Sequence, residues 1–571
     1  MKPKVVIVAV ALVMLLSLSG CHGVPTPPAP APTDVVVVES TGLDWADVVS
    51  GDMPFTSDLA QRSAIGLLVS RDPASAETLL GELDVTGGRT VGTRRATGAP
   101  GAVDREIADA VSSASAASTV VVLSVPTATS PGVVIVSGEA YAPGLLESAS
   151  TRRAGLVTDE DIVATVRVVA DAGDASDAST GVSVASDKMT GSERVAHLAR
   201  VESALLAMEG LRRPLQSVYT VLMTLLILGG WWLAEKARTS ARFGYWSTVM
   251  RRAILFGLCV PAAGTLLHVV DRYPASPERT VSLLFATGGL VWLFSQFAWH
   301  RWGTAAGVSL ASIVTAAVVA IDQLAGAPLT VSSAFSYSPV SAFRFYGLGN
   351  EGAAILVGAL VTGIALELDA ADAPDPVRRR TIAIAGAVAV AVAAAPFLGA
   401  NAVVAVWGTF TFAALYVAAE RRRVRLKDAV FTLVAVVGAV GAVVLLSRLM
   451  PDATHISRAV EDVSGGGLVQ LLASRAATSL RIFTGSPLPA IVLLLAIGFG
   501  YLRVRPLGRL RTMLERYPVF AAAIVAGLAG GAVGMVVEDS GVVVLALILL
   551  YLAGATVMLM LVPEAEEGSV R

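Results

Sequence analysis

Charged residues and cysteines are scarce in this chain of 571 residues. Only 15% of the residues are charged and 54% are hydrophobic, which excludes an ordinary soluble domain and predicts a polytopic membrane protein. The formal net charge is -2, so the chain lacks the overall basic field that a nucleic-acid partner requires. Two cysteines, Cys21 and Cys259, are too few for a disulfide framework, and Cys259 lies in an apolar segment.

Histidine is also sparse. The five histidines are scattered, with no closely spaced pair, and none lies between His22 and His197. Since zinc sites depend on closely spaced histidine and cysteine ligands, this distribution argues against a zinc site. Carboxylates alone still suit a divalent cation such as Mg²⁺ or Ca²⁺, so the identity of any cofactor stays open.

The N-terminus has the pattern of an export signal. Lys2 and Lys4 precede a short apolar run, which ends in Leu18-Ser19-Gly20-Cys21. That ending resembles the lipobox of bacterial lipoproteins, which implies a signal peptide over residues 1–21 and lipidation of Cys21. An ordinary cleaved signal and a retained first span are the alternatives, and all three predict export of the chain after Cys21. Residues 22–33 are rich in proline and read as a stiff spacer.

Residues 34–173 read as an exported α/β domain with a parallel sheet, because apolar β-branched runs alternate with helical patterns. Predicted strands cover residues 35–38, 65–69, 119–125 and 132–137, and predicted helices cover 56–64, 76–83, 104–114 and 159–172. Residues 174–215 come next, as a flexible tether and a juxtamembrane helix. That helix either runs into the first span as a stalk or packs on the domain as a surface helix.

Two segments of this domain resemble the alkaline-phosphatase superfamily. Val35-Val36-Val37-Val38-Glu39, followed by Trp45-Ala46-Asp47-Val48, looks like the opening strand and loop of such domains. Residues 141–157, which end in a threonine-aspartate pair opening a helix, are similar to a segment of such domains in actinobacterial membrane proteins. The resemblance implies a metal ligand at Glu39 and a nucleophile in the region of Ser75 and Thr78. The missing histidines leave the metal set incomplete, so we expect a catalytically degenerate domain.

Residues 216–562 read as an all-α polytopic membrane domain of about eleven transmembrane helices, with a tail at residues 563–571. The expected spans are 216–234, 252–270, 280–298, 305–325, 350–368, 381–399, 401–419, 429–447, 488–503, 518–537 and 541–562. Basic residues such as Arg378-Arg379-Arg380 concentrate in alternate loops. The positive-inside rule then predicts a plasma-membrane protein with an extracytoplasmic N-terminal domain and a cytoplasmic C-terminus.

That topology brings the unusual polar residues to one membrane surface. Candidate catalytic residues are Arg344, Glu351 and Asp539, because a guanidinium neutralises phosphate and carboxylates handle protons or metals. Candidate binding residues are Tyr346, Asn350, Asn401 and Glu538. The alternative is that Asn401 and its neighbours merely serve short turns. His455, in the long loop 447–487, reads as a solvated histidine.

The sequence leaves three functions open. The motif Arg-Phe-Tyr-Gly-Leu-Gly-Asn-Glu from Arg344 to Glu351 resembles the membrane half of the same uncharacterised proteins, which have no settled activity. We expect a cell-envelope protein that acts on or binds an anionic lipid or glycan, with membrane lipids and an envelope glycan or lipid-linked precursor as partners. If it is an enzyme, a hydrolase or transferase on a phosphate-containing or lipid-linked substrate fits. The alternatives are a transporter or flippase of an envelope precursor and a non-catalytic scaffold or sensor.

Overall fold

A computed structural model describes eight stretches of the chain: residues 33–70, 91–170, 181–236, 242–340, 344–420, 425–448, 488–506 and 508–562. The predictions for Cys21, Ser75, Thr78 and His455 lie outside these residues. So do the predicted signal peptide, residues 22–32 of the spacer, the predicted helix over 76–83 and the C-terminal tail.

One eight-stranded sheet forms the centre of the α/β domain, in the order β3-β1-β4-β5-β2-β6-β8, with β7 also beside β2. The strands are β1 (Val35–Ser40), β2 (Ala64–Val69), β3 (Val91–Ala96), β4 (Thr119–Ser124), β5 (Gly132–Ser137), β6 (Gly144–Ser148), β7 (Leu156–Thr158) and β8 (Val182–Ala185). The prediction of a parallel sheet is wrong. β5 runs antiparallel to both β4 and β2, and β8 runs antiparallel to β6. The chain between Ser124 and Gly132 is a short connection, and parallel neighbours need a crossover of a dozen or more residues.

Helices cover both faces of this sheet. They are α1 (Trp45–Ser50), α2 (Pro54–Gln61), α3 (Pro100–Ser113) and α4 (Asp159–Val169). Side chains of a strand alternate between faces, so Val120 and Val122 enter one apolar core and Val121 and Leu123 enter the other. The predicted helix near residue 159 begins with a capping box, in which the Thr158 hydroxyl accepts from the amide of Asp161.

A single 46-residue helix, α5 (Gly191–Lys236), links the α/β domain to the helical bundle. At 1.5 Å per residue it is about 69 Å long, roughly twice what a membrane requires. Val195, Leu198 and Leu205 in its first half pack into the core of the α/β domain. The sequence left two alternatives for this helix, a stalk that runs into the first span and a surface helix on the α/β domain. Both descriptions apply, because its first half packs on the domain and its second half continues into the bundle. β8 lies within the stretch that we expected to be a tether.

The bundle contains α6 (Phe243–Val270), α7 (Pro277–Trp302), α8 (Thr304–Leu324), α9 (Asn350–Ala370), α10 (Asp375–Ala394), α11 (Val404–Ala418), α12 (Leu426–Arg448), α13 (Leu488–Val504), α14 (Gly508–Arg516), α15 (Pro518–Val537) and α16 (Gly541–Met560). In the described residues, eight helices are long and apolar enough to span a membrane: α5 to α9, α12, α15 and α16. The chain is thus compatible with a multi-pass membrane protein.

The predicted fold class is wrong in its count of eleven spans as well as in its sheet. Among the described residues eight helices qualify, or nine if the bent pair of α13 and α14 is one span. α11 has only 15 residues, and α10 opens with Asp375 and three consecutive arginines, Arg378 to Arg380. Sequence hydropathy alone gave too many spans, because it counted these shorter or more polar helices as membrane-spanning.

The two ends of the bundle differ. At one end the α/β domain is in contact with the bundle, since Arg152 donates to the carbonyl of Pro396 at 3.1 Å. At the other end Asp369 accepts from the backbone amides of Val519 and Phe520 at 2.9 and 2.8 Å, which caps the start of α15. The polar candidates lie at the first of these ends.

Candidate functional site

The segment from Arg344 to Gly349 forms a tight loop that leads into α9. Gly347 has φ +76, and a Cβ at this position would meet the carbonyl of Gly399. Next to it, the amide of Leu348 donates to the same Gly399 carbonyl at 2.6 Å. Only glycine accommodates both this backbone conformation and this close approach, so the loop is held against the turn that connects α10 and α11.

Arg344 stabilises this loop through one nitrogen of its guanidinium. Nη1 donates to the carbonyls of Leu348 and Gly399 at 3.1 and 3.2 Å, with Ala400 at 3.5 Å. In the part of the chain that the structure describes, every hydrogen bond of this guanidinium uses Nη1. The Nε and Nη2 edge therefore stays available, and that edge is the one that binds phosphate or carboxylate through two parallel hydrogen bonds.

Three connections meet around the amide of Asn350. Its Nδ2 donates to Asp539 Oδ1 and to Ser540 Oγ, both at 2.8 Å. Its Oδ1 accepts from Asn401 Nδ2 at 3.0 Å. Asn350 and Asn401 are 4% and 3% exposed, whereas Asp539 is exposed, so the network links three turns of the bundle from a buried amide pair to the surface.

Glu351 lies in the first turn of α9, where a carboxylate favours the helix N-terminus. Its carboxyl interacts electrostatically with three charged side chains, those of Arg212, Asp539 and Arg344. Its Oε2 is buried and has no hydrogen-bond partner among the described residues. A buried carboxyl oxygen without a hydrogen-bond partner is costly, so a polar group that reached Glu351 Oε2 would remove that cost.

Two members of this site were missed by sequence reasoning. Arg212, on α5, is 8% exposed, pairs with Glu209 at 3.2 Å and acts on Glu351. Tyr337 lies against Gly349, where a Cβ would enter its ring. Burial, and then the charges of Glu351 and Asp539, raises the pKa of Tyr337, which keeps the phenol protonated. The basic pair Arg212-Arg213 just before the first span was the one available sequence signal.

We call Arg212, Tyr337, Arg344, Asn350, Glu351, Asn401 and Asp539 the polar cluster. The structure thus brings together five of the candidate residues: Arg344, Asn350, Glu351, Asn401 and Asp539. It places the others elsewhere. Glu538 is 4% exposed and accepts from Trp407 Nε1 at 2.9 Å, inside the bundle. Tyr346 faces the α/β domain, with the guanidinium carbon of Arg152 4.1 Å from its ring centroid.

Glu39 lies on β1, far along the chain from the polar cluster, and is 8% exposed. It accepts from Arg95 Nε on the neighbouring strand β3 at 3.2 Å. Among the described residues, no group of three or more histidine, cysteine, aspartate or glutamate side chains has the geometry to hold a metal ion. Glu39 is thus seen in an ion pair, and its role as a metal ligand stays a prediction.

Comparison with known proteins gives no family for this chain. No protein-family model, curated protein or solved structure matches it. The resemblance to the alkaline-phosphatase superfamily therefore stays a prediction from sequence motifs, and the function has to be argued from the polar cluster.

Proposed function

We propose that this chain is a multi-pass membrane protein of the cell envelope whose polar cluster binds the head group of an anionic, hydroxyl-bearing lipid or glycan. The observation that carries the proposal is the pairing of two unused groups at one site. Arg344 keeps its Nε and Nη2 edge available, and Glu351 Oε2 has no donor among the described residues. One group favours an anion, and the other favours a hydroxyl.

Charge supports this choice of ligand. Arg212 and Arg344 supply two guanidinium groups, and Glu351 and Asp539 supply two carboxylates that oppose each other electrostatically. A phosphate would accept from the available Nε and Nη2 edge of Arg344, while sugar or inositol hydroxyls would donate to the carboxylates. The hydrogen bond from Asn350 Nδ2 holds the Asp539 carboxylate in place, so this part of the cluster is organised before a ligand binds.

The same arrangement supports a chemical step if the bound molecule is a substrate. Arg344 would hold the anionic group, and Glu351 or Asp539 would accept a proton from an attacking hydroxyl. This would make the protein a hydrolase or transferase acting on a phosphate-containing or lipid-linked substrate. Binding is the part of this proposal that the geometry supports most directly.

Native mass spectrometry of the full chain with phosphatidylinositol tests the proposal, because this lipid is both anionic and polyhydroxylated. We expect Glu351→Gln and Arg344→Lys each to weaken binding about tenfold, which corresponds to about 1.4 kcal/mol. Arg272→Lys is the matched control, since Arg272 is an exposed cation at the same end of the bundle. Thermal unfolding of each variant confirms that it folds.

Phosphatidic acid separates the two halves of the recognition. It carries the phosphate without the ring hydroxyls, so Arg344→Lys should weaken its binding and Glu351→Gln should leave it unchanged. If both variants fold and retain phosphatidylinositol as the native chain does, the proposed function is wrong.

A sensor or scaffold role is the second candidate, and the contact between the α/β domain and the Arg344 loop favours it. Arg153 Nε donates to the carbonyl of Phe345 at 3.3 Å, and its Nη2 donates to Ala327 at 2.8 Å. The domain therefore holds the backbone beside the polar cluster. This candidate is supported if phosphatidylinositol binding changes the solvent exposure of the α/β domain while the lipid itself is not chemically converted.

Placement of the α/β domain outside the cell is part of the proposal. Arg105 and Arg511 are both exposed. The Arg105→Cys variant should react with a membrane-impermeant maleimide in intact cells, and the Arg511→Cys variant should react only after lysis. The native chain supplies the background from its own two cysteines. The reverse pattern would contradict the proposed orientation.

A further inference from the structure

A cavity of about 450 Å³ opens at the end of the bundle away from the α/β domain. It is lined by Asp375, Pro376, Arg379, Arg380, Ala383 and Tyr416. Asp375 begins α10, and the other end of this 20-residue helix leads to Pro396, which contacts the α/β domain. The cavity is therefore about 30 Å along the helix axis from the polar cluster and is a separate site.

The charge in this cavity is unbalanced. Asp375 is already in an ion pair with Arg378, one turn along α10. Arg379 pairs with Glu420 at 3.4 Å but keeps 46% of its side chain exposed. No described acidic residue pairs with Arg380, which is exposed. The lining thus presents two accessible guanidinium groups and has a net attraction for an anion.

An apolar surface continues from the cavity along the outside of the bundle. The ring of Tyr416 packs on Phe431 of α12, with ring centroids 5.5 Å apart, and Phe431 is 47% exposed. Further along α12, Val434 and Val437 are 64% and 62% exposed. Only 6% of the apolar window of this helix is buried by the protein. Such a surface belongs against hydrocarbon chains.

We propose that this cavity binds the head group of an anionic phospholipid, with its acyl chains along the exposed face of α12. The two features occur in the order that such a lipid requires: cations at the level of the helix ends, then apolar side chains toward the membrane centre. Basic pockets between membrane helices are suited to this class of lipid, with each cation contributing to the attraction. A soluble anion would use only the cationic half of the site.

Lipid retention by the full chain tests this proposal. Native mass spectrometry of protein extracted from mixed phosphatidylglycerol and phosphatidylcholine nanodiscs measures how strongly the anionic lipid is preferred. We expect Arg379→Ala with Arg380→Ala to reduce the preference by about tenfold or more. The matched control is Arg505→Ala with Arg511→Ala, which removes the same charge from exposed positions at the same end of the bundle.

Two further arms make the result decisive. Arg379→Lys with Arg380→Lys keeps the charge and should keep most of the preference, which excludes loss of fold as the cause. Inorganic phosphate at millimolar concentration should leave the lipid in place, and full displacement would show a site for free anions instead. Equal losses in the alanine variant and its matched control would overturn the proposal, because the preference would then reflect general charge.

Discussion

The guanidinium of Arg152 stacks over the ring of Tyr346, with Cζ 4.1 Å from the ring centroid. Arg152 belongs to the α/β domain, and Tyr346 belongs to the loop that carries Arg344. The backbone of Arg152 has φ +53, a left-handed conformation that non-glycine residues seldom adopt. Such a conformation persists when the surroundings determine it, and here the second contact is the Pro396 carbonyl.

Arg152→Ala should loosen the loop beside the polar cluster. The substitution removes a cation–π contact worth about 0.5–2 kcal/mol and one hydrogen bond across the interface. We expect backbone amides in residues 344–349 to exchange hydrogen about tenfold faster, as measured by mass spectrometry of the full chain. Arg105→Ala, an exposed substitution within α3, should leave the exchange unchanged. Equal exchange in both variants would mean that the two Arg152 contacts do not restrain the loop.

Asn350→Asp should destabilise the bundle more than Asn350→Ala. The new carboxylate would replace the Nδ2 group that now lies 2.8 Å from Asp539 Oδ1, so a buried acidic group would face the exposed carboxylate of Asp539 at close range. We expect a loss of about 3–5 kcal/mol for aspartate and about 1–3 kcal/mol for alanine, from thermal unfolding in detergent. Acidification to about pH 4 should narrow the difference between the two variants, because protonation removes the repulsion. Two variants of equal stability at neutral pH would show that the amide does not face Asp539.

We expect the contact between α5 and the α/β domain at Glu202 to depend on pH. Glu202 lies in the part of α5 that precedes the bundle, is 2% exposed and accepts from the Trp45 amide at 2.9 Å. Burial, and then the charge of Asp44, raises the pKa of Glu202 to about 8. An acid whose pKa is raised by folding stabilises the fold below its unfolded pKa, near 4.5, and loses that contribution as the pH rises toward 8.

The stability of the α/β domain should therefore fall by on the order of a few kcal/mol between about pH 5 and pH 8. The rate of limited proteolysis near residue 190, measured across this pH range, reports the change in stability. Glu202→Gln keeps an acceptor for the Trp45 amide and carries no charge, so it should remove most of this pH dependence. Glu106→Gln, an exposed position on α3, should keep it. An unchanged pH profile in Glu202→Gln would assign the effect to other groups.

The sequence predicts the centre of the sheet better than its edges. β1, β2, β4 and β5 are apolar runs, and they are buried strands in the structure. β3, with Arg94 and Arg95, escapes the pattern because an edge strand has a solvent-exposed side. The direction of β5 was wrong because composition does not distinguish parallel from antiparallel buried strands, whereas the length of the connection does.

The polar cluster shows the same limit at longer range. The positions of Arg344, Glu351 and Asp539 follow from their places at the ends of apolar segments. Tyr337 and Arg212 reach the cluster through packing between distant parts of the chain, and no periodicity encodes that. Glu538 and Asp539 are adjacent in sequence yet bond to Trp407 and Asn350 respectively, which only side-chain geometry separates.

Gly347→Ala should damage the polar cluster even though no side-chain interaction is removed. Position 347 has φ +76, and a Cβ there would meet the Gly399 carbonyl, so the loop must shift and pull Arg344 Nη1 from its acceptors. We expect a loss of about 1–3 kcal/mol in thermal unfolding, together with weaker phosphatidylinositol binding. Gly438→Ala is the matched control, because its Cβ would meet no atom within 4 Å on a helix. There, alanine should stabilise by up to about 1 kcal/mol and leave binding intact. If both substitutions behave alike, the backbone of the Arg344 loop does not position the cluster.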